Sequence, residues 1–295
     1  MRTVIAAAAA TFFFAATAHA AEVGGFGWEA QMAGALDSRV ETLSDHEITG
    51  IVGGGFGAAP EYIGSADYRP VFLPLIDVEW RGTYFLSTQR GLGLNFIRRR
   101  TIRAGPRLTL DPGRDSSDNS FLTGLSDIDP SLEAGVFLEG FRGVWRLKMD
   151  FRKGLQGGGH NGYVGTLDLA LGGRLDERTN LILGGTVHWA GSTYANTVFG
   201  VPTAQATGSR AAFAGTGGFT DYGVYANMIY NVNERVFVTG VTRATALVGS
   251  AADSPLSQSD QQWFAGVLLL YRYYRTPRSL RAAARCAGRS DPSSA

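Results

Sequence analysis

Beyond the first twenty residues the chain has three histidines, His46, His160 and His188, and none has a second histidine at ligand spacing. A metal centre is therefore not expected. The lone cysteine, Cys286, excludes an intrachain disulfide and a thiolate-rich cluster. Asp111, Asp115, Asp118, Asp127 and Asp129 crowd one stretch and offer oxygen donors for calcium. The glycine and glutamate of an EF-hand loop are not in place, so a solvated loop is the simpler reading. Gly53-Gly54-Gly55-Phe56-Gly57 lacks the Lys-Ser/Thr of a phosphate loop, and no G-x-S-x-G elbow occurs. These residues give no catalytic site, no cofactor site and no metal site. What remains is charge at alternate positions: Arg146, Lys148, Asp150 and Arg152, with Asp168 and His188 further on. Facing the inside of a closed sheet, such side chains would line a narrow polar channel or plug it as an ion-pair network. Spacing alone leaves both open.

The elements that carry these charges are strands. In Val144 to Arg152, Trp145, Leu147, Met149 and Phe151 alternate with the four charged residues, the period of two that a strand requires. Tyr163 to Leu171, Tyr222 to Tyr230 and Trp263 to Tyr273 repeat the pattern, the last two with an aromatic at each end of the apolar stripe. Lipid-facing strands have that signature, because aromatic rings settle at the two membrane interfaces. Seven weaker segments follow suit: Ile48 to Phe56, Pro70 to Trp80, Gly82 to Gln89, Thr101 to Leu110, Leu132 to Gly140, Leu181 to Trp189 and Arg235 to Leu247. Phe26 to Leu36 is a candidate twelfth. Short polar turns such as Gly140 to Gly143 alternate with long loops such as Asp111 to Asp129, Thr193 to Gly218 and Ser250 to Gln262. Forty glycines in 295 residues suit curved strands rather than long helices.

The fold expected is all-β: an antiparallel transmembrane β-barrel of about 10–12 strands, apolar outside and ionic within, preceded by a cleaved signal peptide. Met1-Arg2, the apolar run Val4 to Ala16 and Ala18-His19-Ala20 come in the order of an export signal, and the run is too short to span a bilayer. The expected division is 1–20 signal peptide, 21–274 barrel and 275–295 an arginine-rich, disordered tail. With 27 Lys+Arg against 26 Asp+Glu, no nucleic-acid partner is expected.

Three motifs carry a family resemblance. Pro60-Glu61-Tyr62-Ile63-Gly64-Ser65 resembles the P-x-Y-x-G-S signature of the MipA/OmpV family. Phe199-Gly200-Val201 with Gln205, Ala206 and Ser209 is similar to its F-G-V…Q-A…S segment, and Ala251-Ala252-Asp253-Ser254-Pro255-Leu256 to its A-A-D-S-P-[IL] loop. The resemblance covers roughly residues 48 to 274, and its motif residues read as structural. It implies a Gram-negative outer-membrane barrel. It also implies a non-enzymatic scaffold that couples a lytic transglycosylase to a penicillin-binding protein in murein remodelling. A small-solute pore is the alternative. A lipid-modifying barrel enzyme is a third class, and would need a Ser/His/acid cluster at one rim. Where the family ends on a strand-terminal aromatic, this chain runs past Tyr273-Tyr274 into five arginines and one aspartate.

Overall fold

The computed structural model describes residues 47–155 and 159–275. Thirteen strands follow one another in the chain: β1 (Ile48–Pro60), β2 (Tyr68–Trp80), β3 (Tyr84–Ser87), β4 (Gly91–Leu94), β5 (Ile97–Arg99), β6 (Ile102–Asp111), β7 (Ser131–Arg142), β8 (Trp145–Gly154), β9 (Tyr163–Arg174), β10 (Thr179–Ala190), β11 (Gly218–Asn231), β12 (Val236–Leu247) and β13 (Gln261–Arg275). Each pairs antiparallel with its neighbours, and β13 returns to β1 in register from Ile48↔Arg275 to Ala58↔Ala265. Both β4 and β5 pair with β6, so they form one wall strand interrupted at Asn95-Phe96. The result is a closed antiparallel barrel of twelve wall strands. The twelfth is this interrupted Gly91–Arg99 segment. Phe26 to Leu36, His46, the expected signal peptide and the residues after Arg275 lie outside the described residues.

Closure at the β1–β13 seam depends on missing side chains. A Cβ on Gly55 would sit 1.9 Å from the Val267 carbonyl oxygen, and one on Gly53 would sit 2.2 Å from that of Leu269. The glycine-rich segment is thus a close-packed strand, as its lack of phosphate-loop chemistry implies. Elsewhere an aromatic ring covers the glycine opposite it. Phe85 lies over its register partner Gly93, and Tyr225 lies over Gly184.

The alternation in sequence becomes two faces of a wall. Trp145, Leu147, Met149 and Phe151 are exposed, whereas Arg146, Lys148 and Asp150 are buried. Exposed aromatics gather towards both rims. Trp80 stacks on Tyr84 near one, and Phe151 stacks on Tyr163 near the other. At the first rim every connection is short. At the second lie the three long loops, 112–130, 191–217 and 248–260, which carry the helices α1 (Ser192–Phe199) and α2 (Ser250–Asp253). Short periplasmic turns and long outer loops orient the barrel. The helical turn within 191–217 carries no strong sequence signature.

One strand is only half paired. β3 meets β2 from Asp77 to Trp80, and above that Thr88 caps the edge through Ile76 and the Pro74 carbonyl. Ile76 directs its amide and carbonyl to this edge, so Phe72, Pro74 and Pro70 face it too. Two of those positions are prolines, which have no amide to leave unpaired.

Met149 sits at the middle of β8 with 45% of its surface exposed on the outer wall. Met149→Arg is expected to destabilise the inserted barrel by about 2–4 kcal/mol, as a cation does at mid-bilayer. Urea unfolding from lipid vesicles measures this. An unchanged midpoint would mean that Met149 does not face lipid.

Candidate functional site: the lumen and its cap

The lumen is packed, and it has two unlike halves. Along β1, β2 and β10–β13 the inward side chains are mainly apolar: Ile51, Val71, Leu73, Leu75, Ile182, Phe237, Val241, Phe264 and Leu268 are all buried, with Asp77, Asn227, Thr239 and Arg243 buried among them. Along β6–β9 they are mainly ionic. Arg146 Nη2 lies 2.8 Å from Asp168 Oδ1, and Tyr225 donates its hydroxyl to Asp168 Oδ2 at 2.9 Å. Arg107 Nη2 lies 2.7 Å from Asp150 Oδ2. Arg152 bridges Asp150 and Glu133 at 2.7 Å each. Lys148 occupies the register position between Glu139 and Asp168. His188 Nδ1 is 2.6 Å from Asp221 Oδ1, its register partner across β10 and β11. The expectation of an ionic interior therefore describes one half of the lumen. In the other half β2 is apolar on both faces from Pro70 to Ile76, which hides its alternation.

The three motif segments, far apart in the chain, meet as a cap over the long-loop rim. Tyr62 donates its hydroxyl to the Leu256 carbonyl at 3.0 Å. Gln262 donates Nε2 to the Ser65 carbonyl at 3.2 Å and accepts from the Gly64 amide at 3.3 Å. Ser254 donates to the Phe199 carbonyl at 2.6 Å. Gly64 has φ +97, and a Cβ there would come 2.7 Å from Ser257 Oγ, so only glycine fits without strain. Val201 packs with Tyr62, Leu122, Leu125 and Leu256, with Ala206 against that cluster. Gln205 donates Nε2 to Ser126 Oγ at 2.6 Å. Pro60 ends β1, Gly200 closes α1 through Asn196, and Pro255 lies half-buried beside Ser254. Asp253 is exposed. The 112–130 loop joins the cap through Asn119, whose amide donates to Glu61 at 2.6 Å, and Arg69, which pairs with Asp118 at 3.0 Å. Arg210 donates to the carbonyls of Phe121 and Thr123. None of the 112–130 partners stands out in sequence, because their polar residues resemble those of any solvated loop.

A further cluster lies where the ionic half meets this rim. His160 Nε2 is 3.3 Å from Glu133 Oε1 and 3.5 Å from Asp111 Oδ2. Only register brings these residues together, since Glu133 lies opposite Thr109 on one side and Gly154 on the other. Burial opposes a proton on His160, but the two carboxylates outweigh it and push its pKa up to about 9. The neighbouring Tyr194 phenol is driven well above its usual value by burial and by the same carboxylates.

Two outcomes follow. Asp168→Ala leaves the buried Arg146 charge without its carboxylate and is expected to cost about 3–5 kcal/mol in urea unfolding. Arg146→Met and Asp168→Leu with Tyr225→Phe is expected to recover most of that. Failure to recover would mean the pair contributes more than mutual compensation. For the cap, burial first, with help from Asp67 and Glu61 against Arg114 and Arg210, pushes the Tyr62 phenol from 10.0 up to about 12. The folded value is the higher one. The contribution of Tyr62 to the cap is therefore whole below pH 10 and is lost as pH rises through about 12. Near-UV circular dichroism is expected to report this loosening. Tyr62→Phe is expected to remove that part of the pH dependence while weakening the cap by about 1 kcal/mol at neutral pH.

Comparison with known proteins gives the chain a family. A family model described as MltA-interacting protein MipA matches residues 52–273. Outer membrane protein OmpV of Vibrio cholerae is 31% identical over 87 residues, and outer membrane protein Omp26La of Vibrio anguillarum is 30% identical over 87. Each match covers 30% of this chain and 34% of the relative, so the chain spans about a third of the length of these relatives. Among solved structures, OmpT of Vibrio cholerae aligns at 10% identity and TM-score 0.37, covering 77% of this chain and 97% of that one. A bacterial polysaccharide outer membrane secretin aligns at 8% identity and TM-score 0.39, covering 77% and 99%. Both relatives are outer membrane proteins. With three quarters of its length inside the family match and its wall closed for lipid, this chain is an outer-membrane β-barrel that belongs to the MipA family.

Proposed function

We propose that this barrel is a non-enzymatic anchor that holds murein-remodelling enzymes, a lytic transglycosylase and a penicillin-binding protein, at the periplasmic face of the outer membrane. Family membership is the observation that carries this reading, since the family is described by its interaction with MltA. The packed lumen supports it over the small-solute pore, because buried inward side chains occupy the space a solute would need. The periplasmic rim supports it too. Its turns expose Arg81, Arg98, Arg99, Arg100, Arg142 and Arg178, against Asp176, Glu177 and Glu234. A basic ring on a rigid barrel attracts acidic protein surfaces and speeds their encounter. Tethering two enzymes to one barrel raises their local concentration without any chemistry by the barrel itself.

Cross-linking intact envelopes and recovering the barrel tests this reading. Co-recovery of a murein hydrolase and a murein synthase is expected, with loss of both on Arg98→Glu, Arg99→Glu and Arg100→Glu in a barrel that still inserts. Recovery of neither enzyme by the unaltered protein would end the proposal. In planar bilayers the same protein is expected to give no steady conductance, whereas stable single-channel steps would restore the pore.

A further inference from the structure

Asp111, Glu133 and His160 each offer one ligand atom, and these atoms lie within 4.8 Å of one another. Two ligands held at about 2.0–2.2 Å by a tetrahedral ion lie about 3.3–3.5 Å apart. The His160 Nε2 distances to Glu133 and Asp111 are 3.3 and 3.5 Å. His160 is 2% exposed, and among the described residues neither ring nitrogen has a hydrogen-bond partner of good geometry. A buried imidazole aimed at two carboxylates without a well-formed hydrogen bond is a second observation, independent of the acidic grouping itself.

The surroundings hold these groups in place. Ser131 donates to the His160 carbonyl at 2.9 Å, and Gly154 leaves room for the ring, since a Cβ there would come 2.7 Å from Nδ1. Glu133 Oε2 is occupied by Thr109 and Arg152, both at 2.7 Å, which leaves Oε1 turned to His160. Arg107 lies against Asp150, and Arg152 against Asp150 and Glu133, which fixes the carboxylates around the pocket. The Asp111 side chain is 21% exposed and gives the pocket its opening to the rim.

We propose that Asp111, Glu133 and His160 form a binding site for a divalent cation of the zinc class, with the remaining coordination position open towards the cell exterior. One imidazole and two carboxylates suit zinc better than an all-oxygen cation such as calcium or magnesium, and the set has no thiolate for copper(I). The ion would tie the ends of β6 and β7 to the loop before β9, at the boundary between the ionic lumen and the cap.

The test uses the untagged full chain, folded in detergent micelles and stripped with chelator. Isothermal titration with Zn²⁺ is expected to show one saturable equivalent per chain, and Co²⁺ to give a visible d–d band that Zn²⁺ displaces. His160→Gln and Asp111→Asn are each expected to weaken Zn²⁺ binding by at least the roughly 10–100-fold that outer-shell changes alone cost. Heat-modifiable gel migration confirms the fold of each variant. Should His160→Gln fail to fold, Asp111→Asn, at the partly exposed mouth, decides the matter. The proposal is overturned by no saturable Zn²⁺ uptake, by uptake that a folded variant leaves unchanged, or by Ca²⁺ or Mg²⁺ competing on equal terms.

Discussion

Hydrocarbon offers no water to an unpaired amide, and this constraint governs how the chain is built. A sheet can obey it only by meeting itself, so the contact between β1 and β13 is the one on which the others depend. That contact joins the two ends of the sheet, far apart in sequence, and it needs an unusually close approach. Gly53 and Gly55 supply it, because any side chain there would strike the backbone of β13. Outward stripes, inward charges and loop packing are all arranged around the ring so formed.

Closure creates a second problem, an interior that must be filled. This chain fills it with mainly apolar packing on one arc and paired charge on the other. The ionic arc is held together because neighbouring strands place opposite charges at matching heights, as with Lys148 between Glu139 and Asp168. Buried pairs of this kind are poor sources of stability but severe penalties when broken. They favour one register of the β6–β9 wall over its slipped alternatives, since a shift of one residue would turn charges to the lipid.

Much of the wall was legible in the sequence because a period of two survives wherever the two faces differ in polarity. Trp145 to Phe151 against Arg146 to Arg152 is the clear case. Gly91–Arg99 was not legible, since glycines and arginines leave no apolar stripe and Asn95-Phe96 interrupts the pairing. The inward apolar arc was hidden for the opposite reason, as in Val71, Leu73 and Leu75, where both faces of β2 are apolar. The motif residues could be found but not their meeting, for nothing local says that Tyr62 will reach Leu256. His160 likewise gave no signal, because its carboxylate neighbours come from other strands and only register assembles them.

The half-paired edge of β2 bears on how such barrels coexist in a crowded membrane. A bare strand edge invites any passing strand to zip on and extend the sheet from one molecule into the next. Here an arriving strand would meet Pro70 and Pro74, and at both places its carbonyl would find no donor. The upper edge of β2 can therefore stay unpaired without becoming adhesive, and each ring keeps its boundary among its neighbours.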